Sequence, residues 1–383
     1  MSLSKSGVEH EKYFSSYEDI QVHRVMLSDK RRLDAYRDAI LSSEGAFRGK
    51  VVMDVGAGTG ILSMYCARAG AMKVYAVEAS NLAPLASEVI KENEYSGVIQ
   101  VLHQRVEDVC LPGDEKVDVI VSEWMGFYLL HESMLDSVIF ARDKFLKRGG
   151  KLFPERAVLY AAPCSSPKSL VAEMQKDKEF WADVSGFKMN SIFRVISEER
   201  LKTPEVSTCV LESDLLSSGT ELFSLDLCKV TAAELDLLEA KKFVSVDCNG
   251  GESGEVSTDY SGLCLWFDVH FPVNDIVLST SPLHPPTHWK QTLVLWPPRS
   301  DPWVPQWSVE SGEVVGFEVS LRRDADCSRR YAMHVQALDP CVEQHPVPCE
   351  CGTARCTVIA AFLKQQGDGD SSRSSFSTDG EED

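Results

Sequence analysis

The sequence predicts an α/β protein with two domains, a Rossmann-like domain followed by an antiparallel β-barrel domain. Between about residues 50 and 150, apolar strand patterns alternate with helical patterns, which is typical of a parallel sheet covered by helices. A glycine-rich turn follows the first of these strands, and after Pro154 the chain changes to short β-rich segments separated by turn residues. A chain of 383 residues is also long for a single core.

The first half of the chain starts with a polar, helix-compatible stretch at residues 1–45, and the strand pattern Lys50–Val55 follows it. Gly70 ends the first helix of the alternation as a C-terminal cap does, and Gly149-Gly150 close the last one. The further helices and strands expected here are, in chain order, Ile61–Ala69, Val74–Ala79, Leu82–Glu94, Ile99–His103, Val117–Glu123 and Ser133–Lys147. We therefore assign residues 1–45 to a helical segment and residues 46–153 to the Rossmann-like domain.

The second half of the chain is β-rich, and a helical stretch at Ser169–Trp181 interrupts it. The expected strands are Val158–Ala162, Leu222–Val230, Phe243–Val246, Leu263–Phe271, Thr292–Trp296 and Val314–Leu321. This pattern predicts an antiparallel barrel or sandwich at residues 154–338. Residues 339–383 form a tail that we expect to be disordered from about residue 367, because its composition there is polar and acidic.

The composition argues against several classes of protein. No run of about 18 apolar residues occurs, so no membrane span is expected, and the N-terminus lacks the apolar segment of a secretory signal. We therefore expect an intracellular protein whose 12 cysteines are free thiols. The net charge of -19 repels nucleic acid and favours a cationic partner such as a basic protein. Alternatively, the acidity serves only solubility.

The turn after the first strand resembles a cofactor-binding loop in composition. Gly56 and Gly58 let the backbone turn tightly and approach a ligand at the N-terminus of a helix. The spacing differs from the dinucleotide pattern because Gly60 comes one residue early. Asp54, just before the loop, disfavours a pyrophosphate and suits a ligand with an amine and a sulfonium. The alternative is a tight strand–helix turn that binds nothing.

Acidic residues after the next two strands extend this predicted site. Glu78 ends the second strand, 20 residues after Gly58, where a carboxylate can bind both ribose hydroxyls. Val106 and Glu107 follow the third strand and can hold the adenine edge and its amine. Together these residues predict a binding site for S-adenosylmethionine (SAM).

Two glutamates bracket the loop after the fourth strand. Glu123 and Glu132 lie nine residues apart at the carboxyl end of a parallel strand, where open α/β sheets bind ligands. Guanidinium is a planar fork of N–H donors, so two carboxylates can clamp one arginine, aim a nitrogen at a methyl donor and offset the cost of burying the charge. Trp124 and Met125 are expected to form a wall of this substrate site, with burial in the core as the alternative.

Several segments resemble the type I protein arginine N-methyltransferase family. They are VMDVGAGTGILS at 52–63, VYAVEAS at 74–80, SEWMG…LLHESML at 122–135, THWKQT at 287–292 and an N-terminal tyrosine pattern at 13–36. Within the family, the segments VYAVEAS, LLHESML and LSTSPLHPPTHWKQ are most similar to the arginine methyltransferase six subfamily. The resemblance implies a nuclear and cytoplasmic homodimer that transfers methyl groups from SAM to arginines of proteins such as histones, giving mono- and asymmetric dimethylarginine.

The resemblance also implies roles for individual residues. Glu123 and Glu132 would hold the guanidinium, while Asp29 and His288 would form a catalytic dyad at the rim of the site. The residues implied to contact the cofactor are His23, Arg32 and Met134, and those implied to line the arginine channel are Tyr13, Tyr17 and Met26. Phe180-Trp181 and Gly186-Phe187 match a dimerisation arm at about residues 165–195, although a helical stripe there could also be simple core.

Two features depart from the family. Relatives usually have tyrosine where this chain has Phe127, which removes a hydroxyl from the substrate site. Relatives tend to end soon after the final barrel strand, whereas residues 339–364 here are unusual and do not align with the family; they contain Cys341, His345, Cys349, Cys351 and Cys356. Because the spacing does not match a usual zinc pattern, we expect free thiols in a loose tail and no metal site, with zinc as the alternative.

Other functions are compatible with parts of the sequence. A catalytically weak scaffold or coregulator of the same fold is the main alternative, although the retained glycines and glutamates argue against it. A methyltransferase for small molecules is disfavoured by the paired glutamates and the acidic surface. A nicotinamide-dependent dehydrogenase is disfavoured by the glycine spacing.

Overall fold

A computed structural model describes residue 13 and residues 15–132, 134–247, 257–296, 307–349 and 351–371, with the side chains of the last segment given to residue 364. Residues 1–12 and 372–383, and Ser133 at the expected start of a helix, lie outside the described residues. No helix among the described residues has the length and apolar character needed to cross a bilayer.

Among the described residues, three named helices precede the first sheet, and three more connect its strands. The first three are α1 (Ile20–Ser28), α2 (Lys30–Leu41) and α3 (Glu44–Phe47). The connecting helices are α4 (Ile61–Arg68), α5 (Ala83–Glu92) and α6 (Leu135–Phe145). Asp29 separates α1 from α2, and its carboxylate accepts a hydrogen bond from the backbone N of Arg32, so it caps the N-terminus of α2.

The first sheet is parallel and has five strands in the order β3-β2-β1-β4-β5. The strands are β1 (Val51–Val55), β2 (Lys73–Glu78), β3 (Ile99–His103), β4 (Val117–Val121) and β5 (Leu146–Phe153). The chain builds outward from β1 through β2 and β3, and then returns to the other side of β1 for β4. A crevice therefore opens where the carboxyl ends of β1 and β4 lie side by side, the place at which such sheets bind ligands.

The second domain consists of antiparallel sheets. One sheet has the order β7 (Glu205–Thr208), β13 (Gln291–Leu295), β11 (Gly262–His270), β6 (Arg156–Cys164) and β8 (Thr220–Asp226), with β12 (Val277–Ser279) paired to β11. The other has β16 (Tyr331–Leu338), β15 (Val314–Arg323) and β9 (Leu237–Ser245), and β10 (Ser257–Asp259) pairs separately with β14 (Ser308–Glu310). Strands β8 and β9 pack side by side, and Phe267 and Phe317 are wholly buried. The predicted fold class is confirmed.

The start of β5 corrects one prediction. Leu146 and Lys147 were expected to continue α6, but Leu146 has extended backbone and pairs with Val117 of β4. Pairing with β4 stabilises these residues more than extension of the helix would, because the helical pattern covers only two residues at the end of α6. Gly149-Gly150, expected to cap that helix, lie inside β5, where a Cβ on Gly150 would lie 2.9 Å from the carbonyl oxygen of Asp118.

Helices α7 (Lys168–Ala182) and α8 (Asn190–Arg200) form the arm that the sequence resemblance implies. The apolar residues of this arm include both buried and exposed side chains. Leu170 and Met174 are buried in a cluster with β-strand residues, whereas Phe180 and Phe187 are exposed.

The tail is more ordered than its composition predicts. Helix α9 (Ala354–Ser371) continues past residue 367, and Cys351 and Cys356 pack against Phe243 of β9. The prediction of a loose tail at these cysteines is therefore wrong, because apolar contacts with the barrel hold the segment that precedes α9.

Candidate active site

A cavity of about 480 Å³ opens at the crevice between the carboxyl ends of β1 and β4. It is lined by residues of the glycine loop, the N-terminal helices, the loop after β4 and the turn before β13. The predicted site residues that line it are Tyr17, His23, Met26, Arg32, Gly56, Gly58, Glu78, Val106, Glu123, Trp124, Met125, Glu132, Met134 and His288. Asp29, Asp54 and Glu107 are the predicted residues that do not reach its surface.

The glycine loop approaches the cavity with bare backbone. Gly56 has φ of +75°, and a Cβ there would lie 2.7 Å from the Cε atom of Met134. Gly58 has φ of +53°, and a Cβ there would lie 3.5 Å from the Cε1 atom of His23. The Nε2 atom of His23 donates to the carbonyl oxygen of Tyr17 at 2.7 Å, which orients the ring over the loop. These residues leave a backbone-lined cradle that a side chain at either glycine would narrow.

Glu78 and Asp54 have different positions around this loop. The two carboxylate oxygens of Glu78 accept from the backbone N of Gly58 at 2.7 Å and of Ser80 at 2.8 Å, and the side chain lines the cavity. Asp54 is fully buried beneath the loop, where Ser63 donates to it at 2.7 Å. Burial raises the pKa of Asp54 to about 7. The expected direct contact of Asp54 with a ligand is therefore replaced by a supporting role under the loop.

Of the two residues after β3 that were predicted to contact the cofactor, one lines the cavity. Val106 lines the cavity, but Glu107 turns away and accepts a hydrogen bond from Ser137 at 2.7 Å. Ser137 itself lines the cavity, as do Gln104 and Arg105, which the sequence interpretation missed although they flank the predicted pair. The polar edge of the cavity is thus formed by the neighbours of Glu107.

The loop between Glu123 and Glu132 is unusually tight. A Cβ on Gly126 would overlap the carbonyl oxygen of His131, and the backbone N of Gly126 donates to Leu129 at 3.0 Å. Glu132 has φ of +54°, a left-handed conformation that non-glycine residues rarely adopt. Such strain persists where the surrounding structure fixes it, which is common at functional sites.

The two glutamates differ in their partners. Glu123 is buried, and its Oε2 atom accepts from Arg32 at 3.0 Å from Nε and at 2.8 Å from Nη2. The side chain of Glu132 is 49% exposed, and the nearest basic group recorded for it is His131 Nε2 at 3.8 Å. Arg32 thus neutralises one glutamate, and one net negative charge of the pair remains to meet a cation.

His288 and Asp29 join the barrel to the N-terminal helices. The Oδ2 atom of Asp29 accepts from both Nδ1 and the backbone N of His288, each at 2.8 Å. Burial opposes ionisation of Asp29, but the hydrogen bonds from His288 and Arg32 lower the pKa of the carboxyl group below its ordinary value. His288 lines the cavity, while Asp29 stands behind it.

Comparison with known proteins identifies the family. The profile of the arginine methyltransferase oligomerization subdomain matches residues 155–337, and that of ribosomal protein L11 methyltransferase (PrmA) matches residues 39–137. Protein arginine N-methyltransferase 6 of Danio rerio is 43% identical over 328 residues, covering 84% of this chain and 88% of that protein. The chain belongs to the protein arginine N-methyltransferase family.

Solved structures of this methyltransferase family agree with the fold. The crystal structure of PRMT6-SAH has a TM-score of 0.69 and 35% identity, covering 84% of this chain and all of that one. The Trypanosoma brucei PRMT1 enzyme–prozyme heterotetrameric complex with AdoHcy has a TM-score of 0.72 and 31% identity, covering 86% of this chain and 98% of that one. The predicted family, its likeness to arginine methyltransferase six and the cofactor SAM are confirmed.

The residues of this methyltransferase fit that cofactor. The glycine cradle leaves room for a ligand against the backbone, and Glu78 lines the cavity at the position predicted for the ribose. Arg32, which the family resemblance places at the cofactor carboxylate, also lines the cavity, although it donates to Glu123 here. Its Nη1 atom is engaged by the carbonyl oxygen of Met26 at 3.3 Å.

Aromatic residues and one arginine cover the methyltransferase site. The rings of Tyr13 and Tyr17 contact each other in a tilted arrangement, with centroids 5.0 Å apart and planes at 53°, and burial raises the pKa of Tyr13 to about 12. The guanidinium of Arg329 lies 3.9 Å from the centre of the Tyr13 ring and lines the cavity. The sequence interpretation missed Arg329, because it lies in the turn between β15 and β16, where no local pattern marks it.

The wall of the substrate site is held by contacts between the domains. Trp124 and Met125 are buried and also line the cavity, which agrees with their predicted position in the wall. The indole N–H of Trp289 donates to the carbonyl oxygen of Met125 at 3.2 Å. Phe127, the position at which the family resemblance implies a tyrosine, lines the cavity as well.

Proposed function

We propose that this arginine methyltransferase is of type I and converts arginine to monomethylarginine and then to asymmetric dimethylarginine. The single observation that supports the chemistry is the shared cavity of the glycine cradle and the two glutamates, one paired and one available. The type I assignment rests on the family resemblance of residues 122–135. Basic proteins such as histones are the proposed substrates, because a net charge of -19 attracts cationic chains. Nuclear and cytoplasmic residence stays a prediction.

The glutamates select and orient the substrate arginine. Glu132 offers an uncompensated carboxylate. The Oε1 atom of Glu123 accepts a hydrogen bond from the backbone N of Met125 at 3.2 Å, and its second lone pair can accept from a substrate because Arg32 donates only to Oε2. A planar guanidinium held by two carboxylates is fixed in rotation as well as position. When bound, SAM supplies a methyl group activated by its sulfonium. The chain's contribution is to hold the arginine nitrogen within about 3–3.5 Å and in line with that group.

Arginine must also lose a proton, since its pKa lies above about 12. Glu132 and the His288–Asp29 pair are the candidate acceptors within the cavity and at its wall. Asp29 additionally bonds the backbone of Arg32, so the pair positions the residue that holds Glu123. We therefore assign Asp29 a positioning role and keep the direct contact with substrate for the two glutamates.

The match to an oligomerization subdomain supports an oligomer, and we propose a homodimer formed through the arm. Phe187 is 70% exposed and Phe180 is 57% exposed near the tip of the arm. Large exposed aromatic side chains favour burial against a partner.

One assay tests the proposed activity directly. We would incubate the full chain with methyl-labelled SAM and a peptide rich in arginine and glycine, and identify the labelled residue by chromatography. We expect monomethylarginine first and asymmetric dimethylarginine later, with no label in the matched peptide that has lysine in place of arginine. Symmetric dimethylarginine would contradict type I. Cofactor binding without any methyl transfer would favour the alternative that the protein is a catalytically weak scaffold.

A further inference from the structure

A second cluster of reactive side chains lies in the tail and takes no part in the cavity. His345, Cys349, Cys351 and Cys356 each offer one ligand atom, and these atoms lie within 4.8 Å of one another. The spacing is H-x3-C-x-C-x4-C, which does not match a usual zinc pattern. Cys341, which is exposed nearby, does not belong to the cluster.

The distances fit a tetrahedral metal. The Nδ1 atom of His345 lies 3.7 Å from the sulfur of Cys349 and 3.3 Å from the sulfurs of Cys351 and Cys356. Bonds of about 2.3 Å to sulfur and 2.0–2.1 Å to nitrogen in a tetrahedron separate nitrogen and sulfur by about 3.6 Å. Only small shifts are therefore needed to place an ion between the four atoms.

The histidine is prepared as a ligand. Its Nε2 atom contacts the carbonyl oxygen of Pro340 at 3.0 Å, and since a carbonyl can only accept, Nε2 is the protonated nitrogen. In the neutral ring this leaves the lone pair on Nδ1, facing the three sulfurs. Metal-binding histidines commonly donate their other N–H to a carbonyl in this way.

The barrel provides a rigid floor for the cluster. The His345 ring stacks on Phe243 of β9 with centroids 3.8 Å apart and planes 7° apart. Phe243 occupies the space above Gly316 of β15, where a Cβ would lie 2.5 Å from its ring. Glu343, two residues before the histidine, binds Lys241 at 2.5 Å. The ligands are therefore held against the sheet and not on a free tail.

Burial shields three of the four side chains of the cluster from solvent, at least in part. Cys351 and Cys356 are 1% and 4% exposed, and Cys349 is half-buried. One imidazole lone pair can accept from only one of the three thiols, and the sulfur of Cys351 also lies 3.2 Å from the Oγ1 atom of Thr353. Three cysteines and one histidine form a common structural zinc set, and thiolates prefer zinc over hard cations such as magnesium.

We propose that His345, Cys349, Cys351 and Cys356 bind one Zn²⁺ ion in a structural site that fastens residues 340–356 to strands β9 and β15. All four coordination positions are taken by protein atoms, as in structural zinc sites that take no part in catalysis. Binding releases protons from the cysteines and adds to the stability of the tail. The proposal does not depend on the type of methyl product.

The test is the zinc content of the full-length protein, expressed with added zinc and desalted. We expect about one zinc per chain in the wild type, and at least a roughly tenfold lower content in Cys351→Ser and Cys356→Ser. The matched control, Cys341→Ser, should keep the wild-type content because this cysteine lies outside the cluster. As a readout independent of variant folding, the wild-type chain loaded with Co²⁺ should show the visible absorption of a tetrahedral thiolate site.

The zinc content and the cobalt spectrum together distinguish a bound metal from free thiols. Stoichiometric zinc lost only with the cluster residues, together with the cobalt spectrum, supports the site. Wild-type protein without zinc and without the cobalt spectrum overturns it. Zinc retained equally in every variant, or a disulfide among these cysteines in the freshly purified chain, overturns it as well.

Discussion

Arg32 donates to a single oxygen of Glu123, from Nε at 3.0 Å and from Nη2 at 2.8 Å, and both side chains are more than nine-tenths buried. This pair joins helix α2 to the end of β4 and determines the charge of the substrate site. Because one glutamate is neutralised and the other is not, the two acids should respond differently to the same substitution.

Glu132→Gln should abolish methyl transfer while the fold and cofactor binding persist. The change removes the uncompensated charge that meets the guanidinium, and we expect kcat/KM to fall by on the order of 10³. Stability should change by less than about 0.5 kcal/mol, since the side chain is half exposed. Label transfer, SAM titration and urea unfolding measure the three effects, and near-normal methylation would refute the clamp.

Glu123→Gln should impair both activity and stability. It leaves the buried guanidinium of Arg32 without its counter-charge, which costs on the order of 3 kcal/mol. Urea unfolding of the two glutamine variants, compared side by side, checks this difference. Equal stability of both variants would show that Arg32 finds another partner or that the pair is not formed.

Asp29→Asn should weaken the dependence of the free energy of unfolding on pH in the acidic range. The pKa of Asp29 is lowered in the folded state, so its contribution is fully present above the unfolded value of about 3.9 and is lost as the pH falls through the folded value. We expect the free energy of unfolding of the wild type to drop more steeply below about pH 4 than that of the variant. Parallel profiles in urea titrations from neutral to acidic pH would contradict this.

Gly126→Ala should disable the substrate loop, because its Cβ would overlap the carbonyl oxygen of His131. Displacing Glu123 and Glu132 by about 1 Å is expected to lower kcat/KM by roughly 10². Gly97→Ala is the matched control, since nothing lies within 4 Å of its Cβ and its φ is not positive. Equal activity of the two variants would show that the tight turn does not matter for catalysis.

Phe187→Asp should weaken the proposed dimer. Because Phe187 is 70% exposed, a charge there should not disturb the fold of the monomer. It should destabilise only an interface in which this position is covered by the partner. Light scattering during size-exclusion chromatography gives the mass, with Val277→Asp on β12 as a control at another exposed apolar position. A monomeric mass for the wild type, or an unchanged dimer in the Phe187 variant, would exclude this use of the arm.

Local sequence patterns were sufficient to predict the parallel sheet, and they indicated Gly56, Gly58, Glu78 and the bracketing glutamates as candidates, which the structure brings to one cavity. Each of these depends on periodicity or on turn residues within a few positions, and parallel strands bring their carboxyl ends to one edge regardless of detail. The same patterns misjudged Asp54 and Glu107, since residue type does not say whether a side chain at a strand end faces the ligand or the layer beneath it.

Tertiary structure decided which charged and metal-binding groups meet, although the family resemblance had already implied the Asp29–His288 pair. The Arg32–Glu123 pair spans 91 positions and the Asp29–His288 pair spans 259, so no local rule connects them. Likewise, His345 becomes a prepared ligand only because Phe243 and Gly316 of two paired strands form a floor beneath it. Periodicity acts over one turn or one strand, whereas shared charges and ligand sets require elements distant in sequence to dock.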